Sequence, residues 1–244
     1  MFKYFISGGC SMSTASISDP QNWPLHVSRR LGTDNLSPSR TKIEYTNSSH
    51  TGMFSQGNGL ISRHILYQVN RVLSTHRPQD ILVGIVWSGP SRMDVYRDIA
   101  SNHSPHTVGV VAQDQQHWQI LNQHWSDHLS HTWYREFSSI VGDAIRSYEH
   151  ILRTQWFLKL HGIKYFMSTI TAEVFAEDLV NHPEINYLYS MIDFTKFLPI
   201  SSGIYEWARD QSGLSFSNHD LCHLTTEQNI LLTDQIIMPF IESL

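Results

Sequence analysis

A three-layer α/β/α sandwich with a short, mainly parallel sheet is the fold this sequence predicts. Three observations lead there. Short apolar runs alternate with long stretches of helical periodicity, the pattern of a parallel sheet covered by helices. Residues 80–87 (DILVGIVW) are apolar almost without interruption, as a central strand buried on both faces must be. The chain has 244 residues, 41% of them hydrophobic and only 16% charged, which suits one large core and argues against disorder.

The elements follow in order. Residues 2–6 (FKYFI) form a first strand that ends at Gly8 and Gly9. Residues 23–32 form a helix with Pro24 in its first turn and Gly32 at its end. Residues 42–46 (KIEYT) form a second strand, followed by a polar loop, NSSHTGMFSQGNG. A helix then runs from about Leu60 to Ser74, with Ile61, Ile65, Val69 and Val72 on one face. From Phe137 to Leu158, Phe137, Val141, Ala144, Tyr148, Ile151, Leu152 and Leu158 recur at helical spacing. Gly162 ends that helix, and residues 163–168 form another strand. Residues 225–242 form the last helix, where Thr225 and Gln228 have the spacing of a capping box. No repeat or linker divides the chain, so residues 1–244 are one domain, with about 183–219 as an irregular cap or insertion.

Composition narrows the function. A net charge of -5 without a basic run speaks against phosphate-backbone binding, so no nucleic-acid partner is expected. Two cysteines cannot make a disulfide framework, which fits a reducing compartment. The first ten residues, MFKYFISGGC, lack the form of a signal peptide, and no run approaches the ~18 apolar residues of a membrane span. A cytoplasmic protein without a membrane partner is the expectation.

Ser11 follows the first strand in GGCSMS. Glycines permit a tight turn, and a hydroxyl there stands at the carboxyl edge of the sheet, where open α/β folds bind ligands. Near the other end stands Asp220-Leu-Cys-His223. A serine hydroxyl needs a base to remove its proton, and an acid must orient that base, which His223 and Asp220 can supply. Taken singly, each is an ordinary turn residue. Cys10, beside Ser11, is a rival nucleophile.

Ser11 near the N-terminus, with D-x-x-H some twenty residues from the end, resembles the SGNH/GDSL hydrolase family. The resemblance extends to a glycine after the second strand, matched by Gly52, and to a block after the third strand, here VGIVWSGPSRMD. It implies a flavodoxin-like sheet and a Ser11–His223–Asp220 triad. It also implies oxyanion donors in the backbone N–H groups of Ser11 and Gly52. Two departures stand out. Cys10 replaces the usual Asp before the serine, and the third block has no Asn to act as a side-chain oxyanion donor. Ser88 is the first choice for that missing donor, Asn58 the second, and a hole with two donors the third. Arg92 and Trp87 are the candidate substrate contacts, Arg92 for an anionic or sugar substrate unless it is a surface arginine paired with Asp94 or another acid.

The activity implied is hydrolysis of a small acyl ester, foremost an acetyl ester on a carbohydrate, without a cofactor or metal. Acyl transfer with the same triad, or a non-catalytic binding or structural module that keeps the fold, are the alternatives. A competing site lies in the histidines, of which the chain has 15. His117, His124, His128 and His131 recur at steps of seven, four and three, which predicts one helix face beside a stripe of Trp118, Leu121, Trp125 and Leu129. Zinc on His124 and His128, with His131, or a substrate cleft lined by these His and Trp residues, are weighed there against a His-rich helix margin.

Overall fold

The computed structural model describes residues 2–14, 22–33, 43–45, 48–52, 55–98, 107–108, 117–216 and 223–244. Its main sheet has five strands: β1 (Tyr4–Gly8), β2 (Ile43–Tyr45), β3 (Ser48–His50), β4 (Ile81–Trp87) and, late in the chain, Lys164–Thr169. Between β4 and that last strand lie β5 (Met93–Tyr96), β6 (Thr107–Val108) and β7 (Trp118–Leu121), so Lys164–Thr169 is β8. The order across the sheet is β2-β3-β1-β4-β8. β3, β1, β4 and β8 are parallel, and β2 is an antiparallel edge. Counted along the chain, the parallel strands lie in the order 2-1-3-4, the flavodoxin-like arrangement. The chain reverses direction across the sheet between β1 and β4, and the ligand crevice of such folds opens there.

Alternation along the strands divides the core. Tyr4, Ile6, Ile81, Val83, Ile85, Trp87, Tyr165 and Met167 point to one face. They are covered there by α2 (Asn58–Val72), α4 (Ile140–Leu160) and α6 (Pro183–Met191) through Ile61, Ile65, Tyr148, Ile151 and Ile185. Phe5, Leu82, Val86 and Phe166 point to the other face. They meet α1 (Trp23–Leu31), α7 (Ile204–Asp210) and the C-terminal helix through Trp23, Val27, Ile204, Trp207, Leu232 and Ile237. Gly84 leaves room for the Phe166 ring, which a Cβ would strike. The C-terminal helix is α8 (Thr226–Leu232), a π turn over Thr233–Ile237 and α9 (Met238–Ser243), and it opens with the expected Thr225–Gln228 capping box. Gly32 and Gly162 take positive φ where their helices stop.

Several expectations need correction. Residues 48–50 fall in the predicted polar loop, yet they form β3, the strand parallel to β1. Hydrogen bonds stand in for apolar burial: Ser49 Oγ meets the Tyr4 hydroxyl at 2.7 Å. His50 Nδ1 meets Ser7 Oγ at 2.7 Å, and its Nε2 meets Ser28 Oγ at 3.2 Å. Phe137 is not in the long helix. It is 64% exposed and closes α3 (His128–Glu136), and Ser139 then caps α4 by accepting the Gly142 N–H. The predicted helix through His117–His131 is absent. Trp118–Leu121 pairs antiparallel with β5 and β6 in a separate three-stranded sheet, and α3 starts afresh where Asp127 accepts the Ser130 N–H. Of the span 183–219 read as an irregular cap, residues 183–216 hold α6 and α7, residues 217–219 lie outside the described residues, and α5 (Glu177–Val180) comes just before. No helix among the described residues is long and apolar enough to cross a membrane.

His50 makes stability depend on pH. Ser28 Oγ donates to the Pro24 carbonyl, so it accepts from His50 Nε2–H, and His50 Nδ1 accepts from Ser7. Burial lowers the His50 pKa to about 3, and burial followed by the charges of Arg153, Arg63 and Arg146 lowers that of His150 to about 3. The unfolded chain takes these protons near pH 6.5 while the folded chain refuses them. The stability they contribute is therefore full above about pH 6.5 and is lost as pH falls toward 3, at up to ~1.4 kcal/mol per pH unit per group. Urea midpoints should fall steadily from pH 6.5 to 4, and the slope should flatten in His50→Gln, whatever that variant's absolute stability.

Candidate active site

β1 runs into Gly8 and Gly9 and then a single 3₁₀ turn, Ser11–Ser13. A Cβ on Gly9 would collide with the Ser13 side chain and the Val86 carbonyl, so the turn lies tight against β4. The two candidate nucleophiles separate at this turn. Cys10 is fully buried in the core with Phe5, Leu82 and Val86. Ser11 is only partly buried, and its Oγ lies 2.8 Å from His223 Nε2. Residues 11 and 223 thus meet across 212 positions of sequence, with the base in reach of the hydroxyl proton. Asp220 and Cys222 lie outside the described residues.

Hydrogen bonds tie the two loops to one scaffold. Trp23 Nε1 donates to Ser13 Oγ at 3.1 Å, and the Trp23 backbone N–H donates to Asn229 Oδ1 at 2.9 Å. Asn229 Nδ2 in turn donates to the carbonyls of Leu224 and Thr225, next to His223. Asn229 is 2% exposed, so three polar contacts hold it in the core between nucleophile turn and base loop.

Gly52 lies two residues beyond the end of β3, after Thr51. A Cβ on it would run into the Ser13 carbonyl, so its backbone packs on the nucleophile turn, as its proposed role requires. The N–H groups of Ser11 and Gly52 donate to no acceptor among the described residues. Gln56, which the sequence gave no reason to single out, braces both loops. Its Nε2 donates to the carbonyls of Gly9 and Thr51, and its Oε1 meets His64 Nδ1 at 3.2 Å. On the expectation that the Gly52 N–H donates to an oxyanion, Gly52→Ala should lower kcat by about 100–1,000-fold with a smaller change in KM, through displacement of that donor. Steady-state kinetics on the folded fraction checks this.

The third block departs from expectation in three places. Asn58 does not face a ligand: Oδ1 accepts the Ser88 N–H at 2.8 Å, and Nδ2 donates to the Ser88 carbonyl and to Ser147 Oγ. Both amide protons are thereby used in bracing the end of β4. Ser88 Oγ has no hydrogen-bond partner among the described residues, but Ser88 is 0% exposed and lines no part of the cleft beside Arg92, so no ligand oxygen reaches it in this arrangement. Trp87 is 0% exposed and donates to Met167 Sδ at 3.4 Å, which makes it core rather than a substrate contact. Its side chain alternates with Val86 and points beneath α4, a direction the apolar run alone does not reveal.

Arg92 lines a cleft, and the alternative, a pairing with Asp94, is not made among the described residues. Asp94 Oδ1 accepts the Gly57 N–H and Oδ2 the Leu60 N–H, each at 2.9 Å, so Asp94 caps α2 from β5. Burial pushes its carboxyl up to about 6, against the opposing pull of those two donors and of Arg63 and Arg92. The histidines disperse. His117 stacks on Tyr96, His124 sits in the turn after β7, and His128 and His131 are on α3. Among the described residues no three His, Cys, Asp or Glu side chains converge as a metal site would need.

The geometry defines an α/β protein with a serine–histidine pair at the point where its strand order reverses. The chain matches no family model, no curated protein and no solved structure.

Proposed function

We propose that the chain is a serine hydrolase of the SGNH/GDSL type that cleaves a small acyl ester, foremost an acetyl ester on a carbohydrate. The observation that carries this reading is the 2.8 Å contact between Ser11 Oγ and His223 Nε2. Ser11 Oγ attacks the acyl carbon while His223 takes its proton. The N–H groups of Ser11 and Gly52 hold the negative oxygen of the tetrahedral intermediate. His223 then gives the proton to the leaving alcohol, and the acyl group stays on Ser11. Water, deprotonated by His223, attacks that acyl-enzyme and releases the acid and the serine. Asp220 has the role of orienting His223 and stabilising its protonated form. A hole of two backbone donors is the version the burial of Ser88 Oγ and the engagement of Asn58 favour.

Location in the cytoplasm belongs to the same reading and is supported by the free, buried thiol of Cys10. A binding module that keeps the fold is the competing reading, motivated by the lack of a side-chain oxyanion donor. Acetate release from p-nitrophenyl acetate and from acetylated sugars decides between them, since a binding module releases none. Product analysis with an added sugar acceptor separates hydrolysis from acyl transfer.

A further inference from the structure

At the carboxyl edge of β4 and β8 lies a cleft of about 230 Å³, lined by Gly89, Arg92, His124, Ile170, Thr171 and Glu173 among others. Its place relative to Ser11 follows from the sheet. Gly8 pairs with Ile85 on β4, so Ser11 and Ser88 each stand three residues beyond that register point. Val86 pairs with Ser168 on β8, and the Ile170 N–H is bonded to the Trp87 carbonyl, so Thr171 rises at the same edge. β8 is two strand spacings from β1, about 10 Å. The cleft and the serine therefore share the carboxyl edge of the sheet, on strands about two spacings apart, a separation that a sugar bearing both an acyl ester and a second polar group is suited to span.

Two donors in its wall lack acceptors. Arg92 and Thr171 line the cleft, and their Nη1 and Oγ1 atoms, covered and without a hydrogen-bond partner among the described residues, need a turn of each side chain into the cleft to gain an acceptor. A guanidinium keeps its charge at any working pH, and leaving its buried N–H unmatched is costly unless an acceptor arrives. The neighbouring groups do not provide one. Asp94 gives both oxygens to the α2 backbone, and Asp143 is engaged by Arg146 and Ser138. Glu173, the carboxylate of the cleft, is exposed and stays hydrated.

We infer that this cleft receives a carboxylate on the acylated molecule, so that the substrate class is an acyl ester of an acidic sugar. One guanidinium and one hydroxyl, with Glu173 on the rim, match a single negative charge better than a phosphate dianion. Arg92 provides the charge-assisted bonds and Thr171 a third donor. This inference rests on the hydrolase reading above.

The test compares kcat/KM for three probes: acetylated glucuronic acid, its methyl ester, which lacks the charge, and p-nitrophenyl acetate. The acid should exceed its methyl ester by about 10–100-fold. Arg92→Met should collapse that ratio toward one, Arg92→Lys should retain part of it, and Thr171→Val should reduce it. The ratio is read within each variant, so loss of folded protein does not imitate the effect. Equal rates on acid and methyl ester in the native chain, with p-nitrophenyl acetate still cleaved, would overturn the carboxylate site and leave the hydrolase standing. No cleavage of any probe would remove the hydrolase reading and this inference with it.

Discussion

Ser11→Ala abolishes ester hydrolysis: the expected loss in kcat is about 10⁴–10⁶-fold, the scale found when a serine nucleophile is removed from a triad. The effect is large because no other group at the turn can take over. Ser13 on the same turn is buried with its Oγ accepting from Trp23 Nε1, and the Cys10 thiol is fully buried in the core against β1 and β4. Cys10→Ala should accordingly keep most of the activity and lose stability instead, as buried truncations do. Ser11 is partly exposed, so Ser11→Ala should fold normally, and its thermal midpoint should stay close to that of the native chain. The measurement is p-nitrophenyl acetate turnover by both variants, normalised to folded protein. A dead Cys10→Ala beside an active Ser11→Ala would reverse the assignment.

The second large effect is expected at His223. With its Nε2 at 2.8 Å from the hydroxyl, His223 is the group placed to receive the proton at attack and to return it to the leaving alcohol. Its removal deprives both half-reactions of proton transfer, so His223→Ala should lose about 10⁴–10⁶-fold in kcat. The pH profile separates a base from a merely structural residue. The native rate should fall on the acid side, because an imidazolium cannot accept the serine proton, and the small residual rate of His223→Ala should lack that limb. Asn229 supplies a further comparison. It holds the Leu224 and Thr225 carbonyls next to His223, so Asn229→Ala should lower kcat by misplacing the base without removing the acid limb.

The candidate pair was legible because the family it resembles constrains residue type and spacing. Ser11 after a glycine turn and His223 before the last helix were paired through that resemblance, each alone being an ordinary turn residue, and they meet in the structure. The strands of the core were legible for a similar reason, since residues 81–87 have no polar position to hide. Legibility failed where polar groups replace apolar ones. β3 is Ser-Ser-His, which has no hydrophobic signature, and it is held by hydrogen bonds to Tyr4, Ser7 and Ser28 that only the fold brings together. Gln56, Asn58, Asp94 and Asn229 are likewise buried and bonded to backbone groups far along the chain. Periodicity failed where two elements abut: steps of seven, four and three suit a helix, but the run 117–131 is a strand, a turn and a capped helix start. Burial, not residue type, removed Trp87 from the substrate contacts.

The central claim is that Ser11 is an activated nucleophile, and covalent labelling tests it most directly. The intact protein is treated with a fluorophosphonate, and the adduct is located by peptide mass spectrometry. The serine oxygen displaces fluoride from phosphorus, and the proton leaves through His223. The account predicts one adduct per chain, on the peptide containing Ser11, formed within minutes. It also predicts at least a hundredfold slower labelling in His223→Ala, consistent with about 10²–10⁴-fold from a positioned base. Folded protein that takes up no label, or that takes it at a residue other than Ser11, would contradict the account.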